Sequence, residues 1–427
     1  MGSVCKLALR SMENDLICIV THREMLSGRC PWCGKNTAGQ ALTTSAKTHP
    51  AAETRWNIQK MTEDLKNPRW RVITALNLEH VGPTIDEALP VFQGALSSQD
   101  LTVRTTAADV LLTKGHDLTL PEAMNYENLL RDGRNQLPLR LLLLAFYGAR
   151  RFSTKAYERE WRNHALWLIV NAPELEIPKG FLLLDPERDS VSFVQAKESW
   201  LNRLRIDPAN TETIEHAVDF FGPRDFNKSE ELLTTAKQLE PSNAKWYRKL
   251  GELLMLKVIN KTGDEQKQIG LRSIAELEEA SRKSADNQER RYLASLSSQV
   301  ALKIGESEKA RSYATEILHE TYDPEAALDR RSRHVANIIL GVIELRAGNN
   351  EPAKSYLQAA GGLVADICPP LLSLAREMLA GGERHAVADY LRVCAPFLNR
   401  DAHEADQWIY DIEHGKAPNF GPNLEYF

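Results

Sequence analysis

A helical period of apolar residues, repeated along most of the chain, is the feature that most constrains its fold. From Trp56 almost to the end, apolar residues recur at helical spacing, and few segments show the strict alternation of a half-buried strand. The pattern comes in units the size of a helical hairpin. One such hairpin cannot bury both of its faces unless a neighbour stacks on it. The sequence therefore predicts an all-α protein, an α-solenoid of stacked hairpins.

The first array is seen when the segment that begins at Asn67 is shifted by 33 residues, to Asp100. A polar turn, an Arg and small residues return in the same order: Arg71, Thr74, Ala75 and Gly82 are matched by Arg104, Ala107, Ala108 and Gly115. The pattern resembles HEAT-type repeats of the short, phycobilisome-lyase-like kind. This resemblance implies a HEAT-like stack over residues 55–172, which the helical segments Leu137–Ala149 and Ala156–Val170 would continue.

The second half of the chain repeats differently. A Gly and an Ala five residues apart recur at Gly305 and Ala310, Gly348 and Ala353, and Gly381 and Ala386. We expect the Gly in the turn between two helices and the Ala where these helices cross, because a larger side chain would force them apart. Residues 229–251, with Pro241 closing a helix, closely resemble a tetratricopeptide (TPR) repeat. The resemblance implies a TPR-like stack of about five units over residues 209–412.

The segments outside the two arrays differ in character. Residues 173–208 hold four prolines and are interpreted as the joint between the arrays. Residues 37–54 are small and polar, which is typical of a flexible linker. Residues 413–427 carry two prolines and two glycines and are predicted to form an extended tail. Residues 1–36 form a separate, cysteine-bearing segment.

Four of the six cysteines lie within the first 33 residues, whereas a secreted disulfide framework would spread them along the chain. The segment from Cys30 to Gly34 is a Cys-x-x-Cys-Gly turn, which brings two thiolates together. It resembles one half of a zinc ribbon. One structural zinc would then be held by four residues, Cys18, His22, Cys30 and Cys33, with Cys5 as the alternative fourth ligand.

Two other interpretations of this motif stay open. Cys-Pro-Trp-Cys also resembles the redox pair of thioredoxin-like proteins, although that fold needs a preceding βαβ segment and only 29 residues precede the motif. A degenerate ribbon that has lost its metal is the second. We expect Cys368 and Cys394, which lie in helical patterns, to be small buried hydrophobes.

Charge and hydropathy restrict the expected cellular location of the protein and the class of partner that it binds. Hydrophobic residues make up 43% and charged residues 26% of the chain, as in folded soluble proteins. The net charge of −5 provides no global basic field for nucleic acid. No apolar run is long enough to cross a bilayer, and the first twenty residues lack the uninterrupted apolar segment of a signal peptide. We therefore expect a cytoplasmic protein.

No catalytic constellation stands out in the sequence, so we expect a protein that is not an enzyme. A Gly-rich phosphate loop, a Gly-x-Ser-x-Gly nucleophile and a catalytic carboxylate signature are all missing. The histidines of the arrays form no His-x-x-x-His pair, and we expect each of them at the surface or in the core. The basic run from Arg330 to His334 could meet an acidic partner or a phosphate, but a solvated helix face is the favoured interpretation.

These observations favour a non-enzymatic adaptor or scaffold that binds a protein or peptide in the groove of a helical-repeat superhelix. Exposed positions of the first helix of each TPR unit line such a groove. The sequence has Lys245, Arg248, Glu252, Tyr292, Ser295 and Gln299 there. The matching positions of the next unit, Val335, Ile338 and Val342, are more typical of a core.

Two alternatives belong to other functional classes. One is a nucleic-acid-associated regulator that uses the zinc module, which the net charge argues against because phosphate binding requires clustered Lys and Arg. The other is a helical-repeat enzyme of the lyase-like or prenyltransferase-like kind. The lack of an acid, base or metal cluster within the repeats disfavours it.

Overall fold

The computed structural model describes three short strands near the N-terminus and then residues 85–420, with gaps at 132, 134–135, 176, 178–181, 183, 322, 324–325, 366–369 and 398–401. The strands β1 (Ser11–Met12), β2 (Asp15–Cys18) and β3 (Arg23–Glu24) pair antiparallel in that order. The described ranges from residue 85 onward contain only helices as regular elements, which confirms the predicted all-α solenoid class. The predicted linker and the repeat copy that begins at Asn67 lie outside the described residues.

The chain divides into two compact units, residues 1–208 and 209–427. The first unit holds six described helices: α1 (Ile85–Leu96), α2 (Leu101–Asp117), α3 (Leu120–Arg131), α4 (Gln136–Arg150), α5 (Lys155–Asn171) and α6 (Ser190–Ile206). Its core centres on α4, whose residues 141–144 are four fully buried leucines, and α4 packs against α2, α3 and α5.

Arg104, the repeated Arg of the HEAT-like pattern, binds the backbone of the turn that precedes α2. Its guanidinium donates to the backbone carbonyls of Ser98 and Gln99, at 3.0 and 3.2 Å, in the turn before α2. Asp100 caps the same helix by accepting the Val103 N–H. The pattern of polar turn followed by Arg therefore encodes a helix start.

In the part of the second unit that the structure describes, the α-helices form five successive pairs and a final helix, with short 3-10 helices at Gly222–Asp225 and Ala395–Phe397. The pairs are α7 (Thr211–Phe221) with α8 (Phe226–Leu239), α9 (Ala244–Ile259) with α10 (Gly263–Lys283), α11 (Asn287–Lys303) with α12 (Ser307–His319), α13 (Ala327–Arg346) with α14 (Asn350–Gly361), and α15 (Ser373–Ala380) with α16 (Arg384–Cys394); α17 (Ala402–Glu413) follows. Asn210, Asn243 and Asp286 cap the first helices of three pairs by accepting a backbone N–H of the first turn.

Glycines end the first helices of several pairs in the way that the sequence predicts. Gly305 and Gly348 have φ of 80° and 84°, and the residue after each donates its N–H to a carbonyl five residues earlier, as in a Schellman cap. Ala310 and Ala353, five residues after these glycines, are fully buried. The predicted roles of Gly and Ala are confirmed for these two pairs.

The third predicted pair, Gly381 and Ala386, is wrong by one residue. Gly382 takes the left-handed conformation with φ of 89°, while Gly381 has φ of −81°. Val387 is fully buried in the position of the predicted Ala386, which is half-buried. The spacing of five is kept, but the turn uses the second of two adjacent glycines.

Residues beyond α17 pack back on that helix as far as the structure describes them. Gly415, with φ of 81°, ends α17 with the same cap, and Lys416 donates its N–H to the Asp411 carbonyl at 2.7 Å. The ring of Phe420 meets the Trp408 ring edge-on, with centroids 5.2 Å apart, and both side chains are buried. The segment predicted as an extended tail is therefore non-helical but anchored up to Phe420.

Candidate partner-binding surfaces

The residues predicted to bind a partner lie on α9 and α11, and the matching positions of the next unit lie on α13. We call the surface of these first helices, together with that of α7, the A-helix face. Lys245 lies 2.6 Å from the carboxylate of Glu215 on α7. Arg248 lies 3.1 Å from the carboxylate of Glu289 on α11. Both cations are about one-third exposed. Ion pairs thus connect α7 to α9 and α9 to α11 along this face.

Tyr292 stands at the centre of the A-helix face. Burial raises the pKa of its hydroxyl, and Glu252 raises it further, while the positive charges of Arg331 and Arg248 oppose the rise. These charges come from α9 and α13, on either side of α11, and the ring itself is half-buried. The structure therefore brings together Arg248, Glu252 and Tyr292, with a protonated phenol among both signs of charge, whereas Lys245 pairs with Glu215 of α7.

The prediction that Ser295 and Gln299 are exposed positions of the groove is wrong. Their exposed fractions are 1% and 5%. Ser295 donates to the Tyr292 carbonyl at 2.7 Å, and Gln299 donates to the Ser295 carbonyl at 3.1 Å. Because α13 packs along α11, these polar side chains are covered, and their hydrogen-bond acceptors are backbone carbonyls of their own helix.

Helix α13 is buried on nearly all sides, because α11, α12, α14 and α15 all pack against it. Val335, Ile338 and Val342 are core residues, as their apolar character indicates. The predicted solvated face from Arg330 to His334 is wrong in part, since Ser332 and His334 are buried.

His334 is a structural residue with both ring nitrogens occupied. Nδ1 lies 2.9 Å from the Ala360 carbonyl, and Nε2 accepts the Leu371 N–H at 3.1 Å. Tyr390 donates to the Leu371 carbonyl at 2.9 Å. Burial lowers the pKa of His334 to about 4, and the charge of Arg331 lowers it too, against the Ala360 hydrogen bond. The neutral ring therefore connects α13 to the backbone on both sides of residues 366–369.

His164 in the first unit is held in the same way. Nε2 lies 3.0 Å from the Glu127 carboxylate, and Nδ1 lies 3.2 Å from the Arg140 guanidinium. The Tyr147 ring stacks on the imidazole, with centroids 5.6 Å apart. These contacts join α3, α4 and α5 around a fully buried ring, so of the two positions expected for the histidines, surface or core, His164 takes the core.

A groove with a volume of about 330 Å³ lies between α10, α11 and α12. Sequence reasoning missed it, because no repeat position marks it. Its walls are α10 and α12, its floor is α11, and Tyr313 donates to the Glu278 carboxylate from one wall to the other. Arg291 is buried in the floor, where Asp329 binds its guanidinium in bidentate fashion at 2.8 and 2.7 Å and Glu320 binds it at 3.0 Å.

The predicted zinc ligands lie outside what the structure describes, except that the backbone of Cys18 ends β2. Within the described ranges, no group of three or more His, Cys, Asp or Glu side chains is placed to hold a metal ion. Cys394 is buried, as expected, and Cys368 falls in a gap. None of the helices in the described part of the chain is both long and apolar enough to cross a membrane.

Comparison with known proteins gives a distant similarity. No protein-family model matches the chain, and no curated protein matches it either. A solved structure of a human IFIT1 dimer with m7Gppp-AAAA is similar at 16% sequence identity and a TM-score of 0.35, over 83% of this chain and 80% of that chain. A similarity at this level assigns no function to the chain.

Proposed function

We propose that the chain is a non-enzymatic scaffold, a HEAT-like stack followed by a TPR-like stack, that binds a protein or peptide on the A-helix face. The binding residues are Lys245, Arg248, Glu252 and Tyr292. One observation carries the proposal: an aromatic ring and two cations on adjacent helices stay partly open to solvent. Tyr and Arg are the residue types that most often dominate the energetics of protein interfaces.

The chemistry of this face suits an extended or helical peptide with acidic and hydrophobic anchors. An acidic side chain of the partner would share Lys245 and Arg248 with Glu215 and Glu289, which already hold these cations in place. An apolar side chain would contact the ring of Tyr292. Because the intramolecular carboxylates fix the cations before binding, little side-chain freedom would be lost on association.

The test is a charge reversal, Lys245→Glu with Arg248→Glu, and capture of partners from a lysate of the source organism. We expect the captured partner to be lost. The melting temperature should change by no more than a few degrees, because exposed ion pairs contribute about 0–1 kcal/mol each.

A compensated variant separates binding from folding. Adding Glu289→Lys to Arg248→Glu restores that ion pair with opposite polarity, whereas Glu215 is kept because it also pairs with Lys249 at 2.9 Å. If capture stays lost, the charge pattern itself is recognised. Recovered capture would mean that these residues only hold the helices together, and capture of RNA in place of protein would move the function to the nucleic-acid class.

The N-terminal segment adds a second proposal, one structural zinc held by Cys18, His22, Cys30 and Cys33, with Cys5 as the alternative fourth ligand. Its support is the Cys-x-x-Cys-Gly spacing at residues 30–34. A cytoplasmic location is part of the same proposal, because thiolate ligands stay reduced there.

A further inference from the structure

The groove between α10, α11 and α12 combines an apolar base with charged walls. Leu277 of α10 and Ile317 of α12 line it and are fully buried. Ala294 of α11 is half-buried there, and its small side chain leaves room above the floor. A volume of about 330 Å³ is at the small end for ligand pockets, so the groove suits a few side chains of a peptide.

Negative charge prevails around this groove. The carboxylates of Glu278, Glu316 and Glu320 line it and are exposed. Arg282, Arg290 and Arg291 line it as well, but Glu279 pairs with the first of these arginines, and buried Asp329 pairs with the last. Three carboxylates and three arginines line the groove; when Asp329 and Glu279 are added with Lys283, which also pairs with Glu279, five carboxylates face four cations.

Burial and the negative charge beside Tyr313 shift the pKa of its hydroxyl. Burial raises the pKa of its hydroxyl, and the carboxylates of Glu278 and Glu316 raise it further. The hydroxyl donates to Glu278, so the phenol ring is held in place on the wall of the groove. A fixed aromatic ring beside two carboxylates favours a cationic side chain, which gains both Coulomb and cation–π attraction.

We propose that this groove binds a basic segment of a partner protein. An Arg or Lys side chain of that segment lies between Glu278 and Glu316 beside the ring of Tyr313, and an apolar side chain fills the space above Ala294. Charge complementarity at Tyr313 selects this occupant over an acidic peptide or a nucleic acid, whose negative charges Glu278 and Glu316 repel. The site is separate from the A-helix face, so either assignment can fail without the other.

The experiment uses the full-length chain and fluorescein-labelled peptides of equal length, measured by fluorescence anisotropy. One peptide alternates Leu and Arg, a second alternates Leu and Glu, and a third alternates Ser and Arg; a single-stranded RNA of similar length is the fourth probe. We expect the Leu–Arg peptide to bind most tightly. Weaker binding of the Ser–Arg peptide would show the apolar contribution. Tighter binding of the Leu–Glu peptide or of the RNA would overturn the proposal.

Variants then locate the site. Glu316→Gln and Glu278→Gln should each weaken Leu–Arg binding by about threefold to fivefold, as expected for partly exposed ion pairs. Glu308→Gln is the matched control: it removes the same charge from α12 at an exposed position that does not line the groove. Equal weakening by Glu308→Gln and Glu316→Gln would mean non-specific attraction and would sink the assignment.

A steric variant gives independent evidence. Ala294→Trp fills the groove without changing its charge and should abolish Leu–Arg binding, with circular dichroism confirming that the helices persist. Unchanged binding in this variant would place the peptide elsewhere. The double variant Lys245→Glu and Arg248→Glu should retain Leu–Arg binding, which distinguishes this groove from the A-helix face.

Discussion

The imidazole of His334 accepts a hydrogen bond from the backbone N–H of Leu371, 37 residues further along the chain, at 3.1 Å. An imidazole can accept only while that nitrogen is unprotonated. A second proton would turn Nε2 into a donor that faces another donor, inside a site where the ring is fully buried. The contact between α13 and the start of α15 is therefore sensitive to acid.

Acid should destabilise the second unit through His334. The fold lowers the pKa of this histidine from 6.5 to about 4, so between these values the unfolded chain binds more protons than the folded chain. The free energy of unfolding contributed by this group is complete above pH 6.5 and falls as the pH drops to about 4, by about 3 kcal/mol. Urea unfolding at several pH values measures the slope.

Carboxylates titrate in part of the same range, so the control is His334→Gln. The Gln amide can still accept from Leu371, but it does not titrate. Its unfolding free energy should depend less steeply on pH between 4 and 6.5 than that of the unmodified chain. Identical slopes would show that His334 does not contribute.

Arg291→Met should be strongly destabilising. It leaves Asp329, which is 1% exposed, without its bidentate partner, and an unpaired buried carboxylate costs about 3–5 kcal/mol. Adding Asp329→Leu removes the orphaned charge and should recover most of the loss. Urea unfolding of the two variants tests this, and a double variant as unstable as the single one would argue against the charge explanation.

Adjacent glycines should respond differently to the same substitution. Gly382→Ala places a Cβ in open space but forces an L-residue to φ of 89°, so we expect a loss of about 1 kcal/mol. Gly381→Ala meets only ordinary van der Waals contacts, 3.4 Å from the Met378 carbonyl oxygen, at a φ that any residue adopts. It should be neutral or slightly stabilising. Thermal unfolding of both variants measures the two losses of stability. A larger loss for Gly381→Ala than for Gly382→Ala would mean that Gly381, not Gly382, takes the left-handed conformation in this turn.

Elemental analysis tests the zinc proposal. The purified protein should contain about one zinc per chain, because the closed structural site needs four ligands of this kind. Cys33→Ser should remove the metal and leave the helical circular dichroism nearly unchanged, since the segment before residue 55 is predicted to be separate from the arrays. A metal-free protein prepared without chelators would favour the degenerate ribbon instead.

The sequence predicts elements well where a local rule decides them. The turns at Gly305 and Gly348 follow from the conformational freedom of glycine, and they lie where the repeat places them. Two neighbouring glycines satisfy that rule equally, which is why the sequence alone could not choose Gly382 over Gly381.

Features that depend on contacts between helix pairs could not be predicted in this way. Ser295 and Gln299 have the polarity of a surface, but α13 covers them, and nothing in their own helix signals this. Arg291 and Asp329 are 38 residues apart and belong to no repeat position, so their ion pair is visible only in the structure.

The edge-on contact of Phe420 with Trp408 has a consequence for assembly. A stack of like units presents, at an unsealed end, the kind of surface on which another unit docks, and head-to-tail docking of identical chains generates open filaments. Phe420 covers the Trp408 ring on α17, the last helix in the described part of the chain. We expect Phe420→Ala to uncover the Trp408 ring, so that self-association through α17 would depend on protein concentration.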